Sequence, residues 1–403
     1  MKRLVLGGLL LIVALTVQAQ DSASLLEVTA RVETVASPGD GATTPVLWVH
    51  PTDPALSLII GADDNEGIGV YGLDGALLQF VDEPGSVSAL DMRYNVAAGS
   101  RPVDLVAAAL EDQPVVALYR IDPATRTLEP AGQIATGVPL AAVCLYHSDL
   151  TATDYVFAIS DTGQLEQHAL NEDDGQWSAT LRRKMDVGGE VEACTVDDPL
   201  RRLYVTEGDN LVWRYGAEPE DGIGRGIVDI VGPRISEEIE GLAIYAAADN
   251  QGYLIVTNEK ADTFLLYERT GDNAPVGEFK IVAGEHDAVS EPTGIYAVGR
   301  PVGELFPQGV FLTSDDVNSQ PNADNNFKLV SWGDIAAGLN LVADTTYDPR
   351  QSRTAAPAPA DRAAGVVTAR VETQPVPSGI DAADDPAIWI HPTDTTRSTI
   401  IGT

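Results

Sequence analysis

The sequence predicts an all-β chain, a six-bladed β-propeller followed by the truncated start of a second propeller. Three observations predict it. Short apolar or alternating segments recur every ~10–15 residues between Gly, Asp and Asn turns, and few stretches carry helical periodicity. The segments fall into six groups of four at about fifty residues per group, the scale of a propeller blade. Two blocks also recur near the far end. V-T-A-R-V-E-T stands at 28–34 and again at 367–373, and W-x-H-P-T-D at Trp48–Asp53 and at Trp389–Asp394.

In chain order, Met1–Arg3 is basic and Leu4–Val17 apolar, too short to span a bilayer comfortably, with small residues around Ala19. Residues 1–19 thus read as a secretory signal peptide, which predicts a secreted or periplasmic protein. Residues 24–350 hold the propeller. The first group is Val46–Val49, Leu58–Ala62, Ile68–Leu73 and Leu77–Val81, with Asp74-Gly75 as a hairpin turn. The second spans Val87–Met92 to Leu128–Ile134, the third Ala142–Tyr146 to Trp177–Lys184, and the fourth Glu192–Val196 to Gly226–Ile230. The fifth runs from Leu242–Tyr245 to Gly277–Val282. The sixth supplies only Gly294–Val298, Gly309–Thr313 and Lys328–Trp332. Val28–Thr34 is its expected fourth strand, since closure from the N-terminus removes an open edge. A large sandwich and a seven-bladed propeller are the competing architectures. Residues 351–365, rich in Ala and Pro, read as a linker. Residues 366–403 read as the first strands of the second copy, so the chain is expected to be a fragment of a tandem protein.

Sixty acidic residues against twenty-five basic ones give a net charge of −35. Such a surface disfavours nucleic acid and anionic membranes as partners. Clustered carboxylates repel one another unless a cation neutralises them, which points to calcium. Acids recur at strand ends: Asp91, Glu192, Glu207, Glu238, Glu240 and Asp315 in the first copy, and Asp384 and Asp385 in the second. In a propeller the innermost strands start at one face, so acids there are expected to ring the channel as metal ligands. Cys144 and Cys194 are either a disulfide or two small buried apolar side chains. His50 and His391 repeat with the fold and read as structural. No histidine shows zinc spacing.

Several ordered segments resemble the β-propeller phytases, calcium-dependent phosphatases of myo-inositol hexakisphosphate. They are Asp91-Met92-Arg93-Tyr94, Cys144–Ser148, Glu166-Gln167, Glu192 with Asp197-Asp198, Leu203–Val205 with Glu207, Glu240-Gly241-Leu242, Tyr267-Glu268-Arg269 and Asn326-Phe327-Lys328. The resemblance covers 28–350 and the second copy as far as it goes. It implies a six-bladed propeller, calcium bound by acids in the channel, phytate or lower inositol phosphates as substrate, and cations clamping the phosphates. This chain departs from that pattern. Thr43-Thr44 replaces an Asp pair that the second copy keeps as Asp384-Asp385. Asp64, Glu111 and Asp161 stand where cations are expected, Ala141 and Gly208 where ligands are expected, and Asn258–Ala261 replaces Ser-Gln-Gly-Asn. The expected function is therefore a phytase-class phosphomonoester hydrolase with a degenerate clamp in its first domain. The alternative is a noncatalytic propeller assisting a competent, covalently linked second one. No Arg-His-Gly or Gly-x-Ser-x-Gly motif points to other hydrolases.

Overall fold

Leu58–Asp63 is buried along its whole length, although its side chains alternate as in any strand. Leu58, Ile60 and Ala62 enter one apolar cluster and Ile59 another. A strand buried on both faces lies in a sheet sandwiched between two others, which is the condition of a propeller blade.

The computed structural model describes residues 25–350 apart from 84, 100, 111–112, 209 and 320–323, and residues 386–402 apart from 392 and 394. The proposed signal peptide, the linker, Glu111, Asp384 and Asp385 lie outside the described residues. Two units separate, Met1–Pro357 and Ala358–Thr403. The first opens with β1 (Leu26–Val28) and β2 (Val32–Glu33). Blade one is β3 (Ala42–Trp48), β4 (Leu58–Asp63), β5 (Gly67–Gly72) and β6 (Leu77–Asp82). Blade two is β7 (Val87–Val96), β8 (Val103–Leu110), β9 (Val115–Asp122) and β10 (Thr127–Ala135). Blade three is β11 (Ala142–Ser148), β12 (Thr153–Ile159), β13 (Gln164–Asp173) and β14 (Gln176–Asp186). Blade four is β15 (Cys194–Asp197), β16 (Arg202–Glu207), β17 (Leu211–Gly216) and β18 (Arg225–Ile230). Blade five is β19 (Leu242–Ala246), β20 (Gly252–Asn258), β21 (Thr263–Glu268) and β22 (Pro275–Ile281). Blade six is β23 (Ile295–Val298), β24 (Val310–Asp315) and β25 (Asn326–Ser331).

The innermost strands β3, β7, β11, β15, β19 and β23 touch in sequence and close on β3, so the six sheets form a ring. Each seam between blades holds one of the six apolar clusters. Each fully buried Leu, Ile or Phe in them contributes about 1.5–3 kcal/mol. A disulfide joins Cys144 on β11 to Cys194 on β15, with Cα atoms 6.1 Å apart, and staples blade three to blade four at the channel.

The N-terminal segment closes the ring, but not as one strand. β2 pairs antiparallel with β25, Val32 opposite Leu329, and completes blade six as expected. β1 pairs parallel with β22 and adds a fifth strand to blade five. Val28 and Ala30 fill the seam between blades five and six, while Val32 fills the seam between six and one, so the chain must break between them. A second difference lies at Trp332. It opens α1 (Trp332–Leu339) instead of ending a strand, stacks on Tyr245 with centroids 3.8 Å apart, and donates Nε1–H to the Val342 carbonyl.

Residues 341–350 then cross the end of the propeller where the innermost strands finish. Asp344 accepts from the Ala248 N–H at 2.6 Å, Asp348 pairs with Arg300, and the Arg350 guanidinium lies 4.0 Å from the centroid of the Tyr94 ring. The second unit's described residues form one antiparallel hairpin, β26 (Pro386–Trp389) with β27 (Thr399–Gly402). No helix among the described residues is long and apolar enough to cross a membrane.

Candidate functional site

Antiparallel order puts the start of each innermost strand beside the end of the strand next to it. In blade five this brings the loop before β19 against the turn after β20, where the Glu259 N–H donates to the Glu238 carbonyl. Carboxylate oxygens of Glu238, Glu240 and Glu259 lie within 4.8 Å of one another. Gly241 follows Glu240 because a Cβ there would come within 2.3 Å of the Thr293 carbonyl oxygen. Thr257 Oγ1 accepts from the N–H groups of Glu240 and Gly241, which fixes this loop. Glu238 adopts φ 58°, a left-handed conformation costing on the order of 1 kcal/mol for a residue with a Cβ.

The site's electrostatics follow from crowding. Burial, then the charges of Glu192 and Glu259, a carboxyl–carboxyl hydrogen bond to Glu259, and Glu238 push the Glu240 carboxyl up to about 8. Burial raises Glu259 as well, against the pull of Lys260. Lys260, on the same turn, places its ammonium 2.6 Å from Glu238 Oε2 and 2.9 Å from Glu259 Oε1. Four carboxylates thus share one neighbourhood, with one lysine among the described residues seated between two of them.

The other sequence candidates stand elsewhere. Asp91 lies along β7, inside the channel, where Arg93 donates to both its oxygens at 3.0 Å and the Leu145 N–H donates at 2.8 Å. Burial pushes its carboxyl up, against those partners. It lines a channel cavity of about 160 Å³ with Arg93, Asp198, Tyr296 and Tyr347. Glu207 ends β16 and takes the Trp213 indole N–H, with Arg225 3.7 Å away. Asp315 ends β24 fully buried, 2.9 Å from Lys328 Nζ. Lys328 also meets Asp287 at 2.6 Å and Glu33 at 3.0 Å, so blade six carries its own internal cation. Of the candidates, Glu238 and Glu240 come together, with Glu192 close enough to act on Glu240. Glu259 and Lys260 complete the group. Strand-end position was the clue for Glu259, since the residue after a second strand shares the face of the residue before the first.

His50 is structural. Its Nδ1 accepts from the Thr52 and Asp53 N–H groups, leaving Nε2–H to donate to the Pro123 carbonyl at 3.2 Å.

The fold and this site define a class: a closed propeller whose channel end gathers carboxylates around a cation. The phytase family's model matches residues 3–355 and, a second time, 350–403. The chain belongs to the phytase family. It is 32% identical over 333 residues to the 3-phytase of Bacillus subtilis (strain 168), covering 79% of this chain and 87% of that relative. Among solved structures, BBS1N in complex with ARL6DN, soaked with lead, matches with a TM-score of 0.44 at 13% identity, over 72% of this chain and 78% of that one. The mercury-soaked form gives 0.44 at 12%, over 79% and 100%. At that distance neither bears on activity.

Proposed function

We propose that this chain is a secreted, calcium-dependent phosphomonoester hydrolase of the phytase class, acting on phytate or lower myo-inositol phosphates. The observation that carries the reading is the convergence of Glu238, Glu240 and Glu259 at the channel end of a propeller of this family. The donor set fits a hard cation: all-oxygen, like-charged, and already holding an ammonium as a stand-in. Glu238, Glu240 and Glu259, with Glu192, would hold calcium there. Bound calcium supplies polarisation of phosphoryl oxygens and a water of lowered pKa. The acids themselves position that charge at the mouth. Hydrolysis breaks the ester P–O bond and releases inositol alcohol and phosphate.

The clamp for the remaining phosphates is weakened in the first propeller. Asp64 and Asp161 are acids in the turns just after the second strands of blades one and three, and a polyanion is repelled by both. Ala141 and Gly208 offer no side-chain ligand. The same substitutions favour a second reading, in which residues 24–350 are a noncatalytic module beside a second propeller that begins within 366–403, after the 351–365 linker. In either reading residues 1–19 direct export.

The test is phosphate release from phytate by the full chain, with calcium and with chelator. Slow release that chelation abolishes is the expected result. The combined Asp64→Lys, Glu111→Arg, Asp161→Lys variant should release phosphate faster at low ionic strength and gain less at high salt, where fields are screened. No release with calcium from either protein sinks the hydrolase reading and leaves the noncatalytic one.

A further inference from the structure

Lys260 and Lys328 are both lysines among glutamates and aspartates, but they are held differently. Lys328 is fully buried and reached by Glu33, Asp287 and Asp315 from three separate segments. Nothing can replace it without opening blade six. Lys260 sits on the single turn Glu259–Ala261 at the channel end, with two-fifths of its side chain exposed. Its ammonium uses Glu238 Oε2 and Glu259 Oε1, oxygens from the set that converges there. A hard divalent cation entering that set needs the same lone pairs, and two cations cannot share them at hydrogen-bond distance.

We propose that Lys260 is a displaceable internal counter-ion, which neutralises the Glu238–Glu240–Glu259 cluster and competes with a divalent cation for it. When the cation enters, the ammonium swings out on its flexible stem and remains at the mouth of the channel. The device lets the cluster fold in the absence of metal, at the cost of weaker metal binding. This inference rests on the calcium reading above.

The experiment measures calcium binding by titration calorimetry, and melting in chelator, on the full chain with wild-type sequence, Lys260→Met and Lys260→Arg. Lys260→Met is expected to bind calcium about three- to fivefold more tightly, the size of a partly exposed ion-pair interaction removed from the competition. In chelator it should melt below the wild type, because the acids have lost their counter-ion. Lys260→Arg keeps the charge and should follow the wild type in both measurements. If wild type binds calcium and Lys260→Met binds it no more tightly, the counter-ion proposal is overturned and the calcium reading stands. If neither binds calcium, both fall.

Discussion

The described residues of the two W-x-H-P-T-D copies fold alike and sit in different surroundings. In each, a two-stranded hairpin pairs the tryptophan with the residue after a serine at the equivalent place in the repeat, Trp48 with Leu58 and Trp389 with Thr399. The histidine N–H donates to that serine's Oγ at 3.1 Å in one and 3.2 Å in the other. The tryptophan and histidine rings meet edge-on at 5.3 Å in both. A single 3-10 turn follows in both, Pro54–Leu56 and Thr395–Arg397. Yet Trp48 is 1% exposed and Trp389 49%, and Ile60 is 0% exposed against 55% for Ile401. Hydrogen bonds between near neighbours need only the local sequence. Burial needs the other blades. Trp48 donates Nε1–H to Asp104 of blade two at 2.6 Å and lies under Arg350, and Ile60 packs into the seam with blade two. A lone hairpin is marginal in water.

The two hairpins differ most at the tryptophans. Trp48→Ala should cost the propeller about 3–5 kcal/mol by urea unfolding, the range for emptying a packed aromatic site. Trp389→Ala should change the same transition by less than about 0.5 kcal/mol, as surface changes do. Equal costs would mean that the second hairpin is packed as the first is.

Reduction of the disulfide tests the context while leaving both motifs intact. Cys144 and Cys194 are 50 residues apart in sequence, and breaking their link should lower propeller stability by about 2–4 kcal/mol. The Cys144→Ser, Cys194→Ser variant should show the same loss without reductant. An unchanged melting temperature would remove the staple from the account of how blades three and four hold together.

The smallest effect belongs to the acid end and extends the comparison to charge. Glu240 has an ordinary carboxyl value of 4.5 when exposed and about 8 in the fold, so its protonated form is the one the fold favours. Its contribution is present below the lower value and is lost as pH rises through the higher one. In chelator, stability should therefore fall as pH rises from about 5 to 9, by only a part of the ~5 kcal/mol that the gap between the two values implies, because Glu240 shares its titration with Glu192, Glu238 and Glu259. Glu240→Gln should flatten that slope. A slope that survives the substitution would assign it to another group.

The number of blades was legible because a strand leaves its alternation in the sequence whatever it packs against. The closing role of Val28–Thr34 was legible from its repetition, but its division between blades five and six was not. Only the positions of two neighbouring seams decide that Val28 and Val32 part company. Glu238 and Glu240 could be picked out as a crowd of acids before a strand. Glu259 and Lys260 stood out only as a strand end; their meeting with Glu238 and Glu240 was not legible, because a hairpin of some twenty residues separates them in the chain and a turn returns them in space. Asp315 shows the converse. It looked like one more strand-end acid, and the fold gives it a buried lysine instead.

Local sequence was enough for most of the strands, the turns, the hairpin around each W-x-H-P-T-D block and the surplus of negative charge. These depend on residues within one or two strands of each other, where chain connectivity already supplies the proximity. Tertiary structure alone settled which tryptophan is buried, whether the two cysteines join, and which acids share a cation. Each of those is a meeting of segments distant along the chain, and its energy exists only once the ring has closed and water has left the seams.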